Sequence, residues 1–308
     1  MSNVTRRGFV ASASALGAAV GSMLGHKGVQ AQEAQTVQAA AAQIAEGPEK
    51  YFPNGFPRCK LGKTGIETSI LGMGTGMSSG QPYMDMGEAA FVELMHTAFE
   101  QGVRYIDTAE NYRTHTYVQR SLRGWNREDF FLLTKTFSPT EDRARADVDR
   151  YLRELGVRYL DTMLLHCTMN DRWPEERGGA WKALQDAKKA GRVRSIGVSC
   201  HSLDAVKKCL EVDEVDVLLV RINPFGKNFA MDDDVDKVVP VVKELHEKGV
   251  GILGMKIFGE GRCTEASQRR ESLEFVTELG CVDTYTIGFT TIPQVHETLG
   301  MMAEIHAK

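Results

Sequence analysis

Tyr105-Ile106-Asp107-Thr108-Ala109-Glu110-Asn111-Tyr112 ends a short apolar run with a carboxylate and places a phenol five residues later. Leu133-Thr134-Lys135-Thr136 ends a second run with an amine, and Leu164-Leu165-His166 ends a third with an imidazole. The runs span residues 103–106, 130–133 and 159–165 and read as β-strands. Ile196-Gly197-Val198-Ser199 follows at the next strand. In a parallel β/α barrel, successive strand ends face one rim, so residues far apart in sequence meet there. A phenol beside an amine, a carboxylate and an imidazole makes a proton donor with partners that tune its pKa. That set suits reduction of a carbonyl by a hydride donor.

Outward from these strands the pattern repeats. Further strands are expected over 69–73, 195–199, 217–222, 251–255 and 284–288. Ahead of them, residues 58–68 carry Gly62 and Gly65 and read as a β-hairpin. Helical spacing fills 88–101, where Ala89, Val92, Met95 and Phe99 recur at intervals of three and four. It also fills 144–155, 180–190, 203–210, 235–248 and 267–279, and a last helix follows Pro293. Gly102, Gly156, Gly191, Gly249 and Gly280 stand where C-terminal helix glycines stand. Strand alternating with helix means a parallel sheet. The chain has 308 residues, and a barrel takes about 250. The predicted fold is therefore α/β, a (β/α)8 TIM barrel with an N-terminal β-hairpin. The dinucleotide fingerprint GxGxxG is absent; Gly72-Met73-Gly74-Thr75-Gly76 comes nearest, and no helix opens directly behind it.

Composition narrows the partners. Hydrophobic content of 42% and charged content of 25% suit a soluble globular domain. With a net charge of −4 and no dense basic stripe, nucleic acid is not an expected partner. The six cysteines show no CxxC pair, so no disulfide framework is implied. His166-Cys167 and Cys200-His201 offer metal-ligand types, but adjacent strand residues point to opposite faces, so no metal is expected.

The N-terminus resembles a twin-arginine signal: Arg6-Arg7 is followed by Phe9 and an Ala-, Gly- and Ser-rich apolar stretch to Leu24. That stretch is too short and mild for a membrane span, which needs about 20 apolar residues. Val29-Gln30-Ala31 offers a cleavage site. The expected organisation is a signal peptide over 1–31, a linker over 32–54 and a barrel over 55–308. The twin-arginine machinery would then be a transient partner and the destination periplasmic or otherwise outside the cytoplasm, with the cytoplasm remaining the location if the leader is unused.

The ordered pieces at Asp107–Tyr112, Lys135, His166 and Ser199 resemble the aldo-keto reductases, over roughly residues 58–298. The resemblance implies an NADP(H)- or NAD(H)-dependent oxidoreductase acting reversibly on an aldehyde or ketone. Tyr112 would be the general acid, Lys135 the ammonium lowering its pKa from near 10, and Asp107 the partner of Lys135. His166 would orient the carbonyl oxygen. The second reading is a binding barrel of the same fold with altered catalysis.

The resemblance also assigns a nucleotide site, with departures. Ser199 carries over as a nicotinamide contact, but Cys200 replaces the family's Asn, Leu219 its Gln and Met255 its stacking ring. Lys256 follows, and Gly259 and Gly261 would let backbone amides approach a pyrophosphate. Gly288, Thr290, Thr291, Gln294 and Glu297 occupy the adenosine-phosphate stretch without the family's cations. Short loops follow strands four and six, where Trp173 and Phe225 are candidate pocket walls.

Overall fold

Eight strands alternate their side chains strictly between two environments, and that alternation builds the barrel. The computed structural model describes residues 50–307. The parallel strands are β3 (Leu71–Gly74), β4 (Tyr105–Asp107), β5 (Phe131–Thr136), β6 (Leu160–Thr168), β7 (Val193–Cys200), β8 (Val217–Arg221), β9 (Gly251–Met255) and β10 (Thr284–Ile287). They close in the order β10-β3-β4-β5-β6-β7-β8-β9. Tyr105, Phe131, Leu133, Leu164, Val217, Leu219, Leu253 and Met255 share one inner cluster. Their strand neighbours Ile106, Leu132, Met163, Leu165, Leu218 and Ile252 belong to the larger cluster under the helices. A period of two along each strand produces both layers.

The predicted hairpin is present. Strands β1 (Arg58–Lys60) and β2 (Glu67–Ser69) pair antiparallel. Leu61 and Ile66, between them, enter the inner cluster and close the barrel floor. The hairpin is pinned there by Lys63 N donating to Gly249 O at 2.9 Å. Gly62 sits at φ +47 with no room for a side chain, since a Cβ would lie 2.5 Å from Gly249 O. Glycine tolerates both conditions.

The helical layer follows the predicted one with three differences, one of them a single unexpected helical turn at Trp173–Glu176. The first helix, α1 (Gln81–Glu100), starts seven residues before the expected 88, because Pro82 opens an extra turn and Gly87, at φ 80, interrupts the helix rather than starting it. A short helix, α2 (His115–Ser121), follows β4 where none was expected. Its β-branched and aromatic residues are weak helix formers; tertiary bonds hold it instead, with His115 bridging Glu154 at 2.7 Å and Thr134 at 2.9 Å. The remaining helices are α3 (Glu141–Leu155), α4 (Gly178–Lys189), α5 (Leu203–Lys208), α6 (Val235–Glu247), α7 (Ala266–Glu278) and α8 (Ile292–His306). The five helix-closing glycines all adopt positive φ, between 65° and 99°.

The expected signal peptide, over 1–31, and most of the expected linker lie outside the described residues. At the linker's end, Phe52 is buried and packs edge-on against Phe56 at 4.9 Å, while Tyr51 bonds His296 of α8. Ordered packing thus begins before residue 55. No helix among the described residues is long and apolar enough to cross a membrane.

Leu61 is fully buried at the barrel floor, far along the chain from the rim residues. Leu61→Ala should lower unfolding stability by about 2–5 kcal/mol without changing the rim chemistry. Urea midpoints measured beside activity test this; an unchanged midpoint contradicts the role of the hairpin as a floor.

Candidate active site

The rim residues come together. Asp107 ends β4, Lys135 lies near the end of β5, His166 near the end of β6, and Tyr112 on a 3-10 turn (Glu110–Tyr112) after β4. Lys135 Nζ donates to Asp107 Oδ1 at 2.5 Å and to Thr108 O at 3.1 Å. It lies 3.5 Å from Tyr112 Oη and 4.9 Å from the centre of the Tyr112 ring. Tyr112 Oη is 3.4 Å from His166 Nε2. Tyr105, fully buried inside the barrel, donates to the other Asp107 oxygen at 3.2 Å. Asp107 is thereby fixed by two inward-facing residues of neighbouring strands.

Two backbone features aim these groups. The β6–β7 register shifts between Leu165 and Thr168, and Cys167 adopts φ 57, a left-handed conformation costly for a residue with a Cβ. Such an irregularity beside a site re-aims a side chain, here His166. Arg177 braces it by donating to His166 O at 2.8 Å and Thr136 O at 2.6 Å. At the other side, a Cβ on Gly76 would stand 2.5 Å from Tyr112 Cζ. Glycine at 76 therefore gives the ring its place, a role the sequence reading did not assign.

Electrostatics set the proton inventory. Burial, then the Asp107 carboxylate, push the Tyr112 phenol well above its usual value. The net shift is upward: burial and the Asp107 carboxylate outweigh the opposing influence expected of the Lys135 ammonium, which also reaches Tyr112 Oη at 3.5 Å. Burial also lowers Lys135, opposed by Asp107. His166 falls to about 2, through burial and the nearby charges of Lys135, His201, Arg177 and Lys256. The site at neutral pH thus holds a protonated phenol beside a neutral imidazole.

A cavity of about 390 Å³ opens from these groups, lined by Asp107, Tyr112 and Lys135, by Met255 at the end of β9 and Lys256 just beyond it, and by residues of α7 and α8. Because those helices lie outside the barrel, the cavity leads from the barrel axis outward. Of the eleven residues expected to hold a nucleotide, it is lined by Met255, Lys256, Gly261, Gly288, Thr290, Gln294 and Glu297. Ser199, Cys200, Gly259 and Thr291 do not line it. Ser199 faces inward, and its buried Oγ has no hydrogen-bond partner among the described residues. Cys200, the next residue along β7, faces the helical layer, with its Sγ 4.0 Å from Cys209 Sγ. Gly259 packs under Phe229. Thr291 is the N-cap of α8 in a capping box with Gln294.

Some lining was not foreseen. Arg269 of α7 lines the cavity and forks onto Glu297 of α8, with Nε–Oε2 3.1 Å and Nη2–Oε1 2.7 Å. Nothing local in the sequence joins two residues on separate helices. Trp173 does not wall the pocket; it is buried against Trp181 at 5.5 Å. Phe225 packs on Phe229 at 4.5 Å. The exposed large hydrophobics among the described residues are Phe137 and Met169, and Phe137 lies 4.3 Å from the His166 ring centre. Among the described residues no group of three or more His, Cys, Asp or Glu is placed to hold a metal ion.

A closed eight-stranded β/α barrel with its polar cluster at the C-terminal rim defines a barrel of the enzyme type. Residues 70–299 match the Aldo/keto reductase family, and the chain belongs to that family. It is therefore an oxidoreductase by family. Protein REDOX 2 of Catharanthus roseus is 27% identical over 211 residues, 61% of this chain and 62% of that protein. 2,5-Diketo-D-gluconic acid reductase B of a Corynebacterium species is 28% identical over 172 residues, 50% of this chain and 60% of that protein. The chain thus spans less than two thirds of these curated relatives. Among solved structures, a putative aldo-keto reductase from Pseudomonas aeruginosa shares the fold with a TM-score of 0.68 and 24% identity, over 81% of this chain and 96% of that one.

The low His166 value has a consequence for stability. Between about 2 and the unfolded value near 6.5, the unfolded chain binds a proton that the folded chain refuses. Stability from this group is therefore lost as pH falls below 6.5. Lowering pH from about 7.5 to about 5.5 should destabilise the protein by about 1.4 kcal/mol more than it destabilises His166→Gln. Urea midpoints at both pH values give the comparison; parallel pH dependence would contradict a neutral buried His166.

Proposed function

We propose that this protein reduces an aldehyde or ketone to the alcohol, reversibly, with Tyr112 as proton donor and NADPH or NADH as reductant. The observation that carries it is one hydroxyl, Tyr112 Oη, held 3.5 Å from Lys135 Nζ and 3.4 Å from His166 Nε2 at the cavity. The name of the Corynebacterium relative, a diketo-acid reductase, supports a carbonyl substrate.

The residues present fit a nicotinamide dinucleotide. Thr286 Oγ1, on the inward face of β10, lines the cavity without a hydrogen-bond partner among the described residues, and the orphaned Ser199 Oγ faces the barrel interior. Both are buried hydroxyls of the kind that need a ligand partner. Met255 would pack on a flat ring, while Thr290, Gln294 and Glu297 would meet the far end. Bound there, a reduced nicotinamide supplies a hydride equivalent to the carbonyl carbon.

The chain's own residues manage the proton. A carbonyl oxygen placed between Tyr112 Oη and His166 Nε2 takes a hydrogen bond from each. Tyr112 holds its proton at neutral pH because burial raises its pKa, so the acid is always loaded. As that proton passes to the oxygen, the phenolate left behind faces the Lys135 ammonium. Asp107 and Thr108 O keep that ammonium charged and in place. The Arg6-Arg7 leader supports export in the folded state, with nucleotide loaded beforehand.

Tyr112→Phe removes the transferable proton and keeps the ring. Carbonyl reduction should fall by about 10²–10⁴-fold, with nucleotide affinity retained in calorimetry. Turnover equal to the parent would remove Tyr112 from the acid role and favour a barrel with another use.

A further inference from the structure

We propose that the cavity selects NAD(H) over NADP(H), because the cations that line it are already neutralised within the protein. The inference rests on the nucleotide reading above. The two nucleotides differ only in a 2′-phosphate, so whatever the pyrophosphate costs or gains is common to both.

The charged residues lining the cavity are three cations and three carboxylates. They occur as pairs: Lys135 with Asp107 at 2.5 Å, Lys256 with Glu260 at 2.6 Å, and Arg269 with Glu297 at 2.7 Å. The last pair is contributed by the outer helices α7 and α8 rather than by the strand ends that carry Asp107 and Lys135, on the side where the adenosine end would go. Arg269 spends its guanidinium there almost completely. Nε and Nη2 fork onto Glu297, and Nη1 donates to Cys263 O at 3.2 Å and Thr264 O at 2.7 Å. Four of its five N–H groups are engaged. A 2′-phosphate brings roughly −1.5 to −2 charges against the Glu297 carboxylate and finds no uncommitted fork to receive them. Arg262, just outside the lining, is itself tied to Gly259 O at 3.0 Å and shares Glu260 at 3.6 Å. A ribose 2′-hydroxyl faces the opposite situation. It donates a hydrogen bond to a carboxylate, the arrangement by which acidic residues hold NAD in other folds.

The test is calorimetric titration of the purified full-length protein with NADH and with NADPH at one fixed ionic strength, repeated on Glu297→Gln. The parent should bind NADH at least about tenfold more tightly than NADPH. Glu297→Gln, which keeps shape and frees the Arg269 fork, should narrow that ratio by about tenfold or more. NADPH bound as tightly as NADH by the parent overturns the proposal while leaving the nucleotide reading intact. An unchanged ratio in folded Glu297→Gln removes the Arg269–Glu297 pair as its cause. Binding of neither nucleotide overturns the proposal and the nucleotide reading together. If the variant fails to fold, the ratio measured on the parent alone still decides for or against selectivity.

Discussion

The buried ion pair between Lys135 and Asp107 is the constraint on which the site depends. Both side chains are nearly inaccessible to water, 1% and 5% exposed. An isolated charge at that depth is strongly disfavoured, and removing one partner of such a pair typically costs about 3–5 kcal/mol. The pair survives because the surroundings complete it: Thr108 O takes a second hydrogen bond from the ammonium, and Tyr105 gives one to the carboxylate. Those partners come from the strand ends of β4 and the turn beyond it, so the charge pair also locks β4 to β5. Tyr112 inherits its position from this lock, since its ring lies over the same ammonium.

The same low-polarity surroundings that make the pair costly make it useful. Burial keeps the phenol protonated and the imidazole neutral, which leaves one ready acid and one uncharged hydrogen-bonding ring on the rim. A cation created in the imidazole would repel Lys135; a phenolate created at Tyr112 is attracted to it. Charge developing at the phenol as its proton leaves would therefore face the ammonium 3.5 Å away, against the cost of burial and of the Asp107 carboxylate. Backbone irregularity supports it. Cys167 at φ 57 lies inside β6 beside His166, and Lys256 at φ 59 directly follows β9 at the cavity; strained positions commonly hold functional side chains.

Much of this was legible along the chain. Strand positions, the hairpin and the helix-closing glycines follow from period-two and period-3.6 patterns with punctuation by Gly and Pro, and the four rim residues from their place just past predicted strands together with the family resemblance. What escaped reading was held by contacts distant in sequence. The α2 helix has poor intrinsic propensity and depends on Glu154 and Thr134. Gly76 is one glycine in a Gly-rich stretch, and only the Tyr112 ring against it gives it a purpose. The same strand alternation that argued against a metal at Cys200-His201 also separates Cys200 from Ser199, so the two could not both face a nucleotide as the resemblance implied.

The sequence by itself determined the (β/α)8 architecture and the order in which a carboxylate, a phenol, an amine and an imidazole arrive at one rim. Alternation and turn chemistry are local properties, and each strand carries its own copy of them. The tertiary structure decided the direction of the Tyr112 pKa shift, because burial depends on everything packed around the phenol and not on its neighbours in the chain. It also decided the charge state of the cavity. Arg269 and Glu297 stand on different helices, and their fork closes only when α7 and α8 pack side by side.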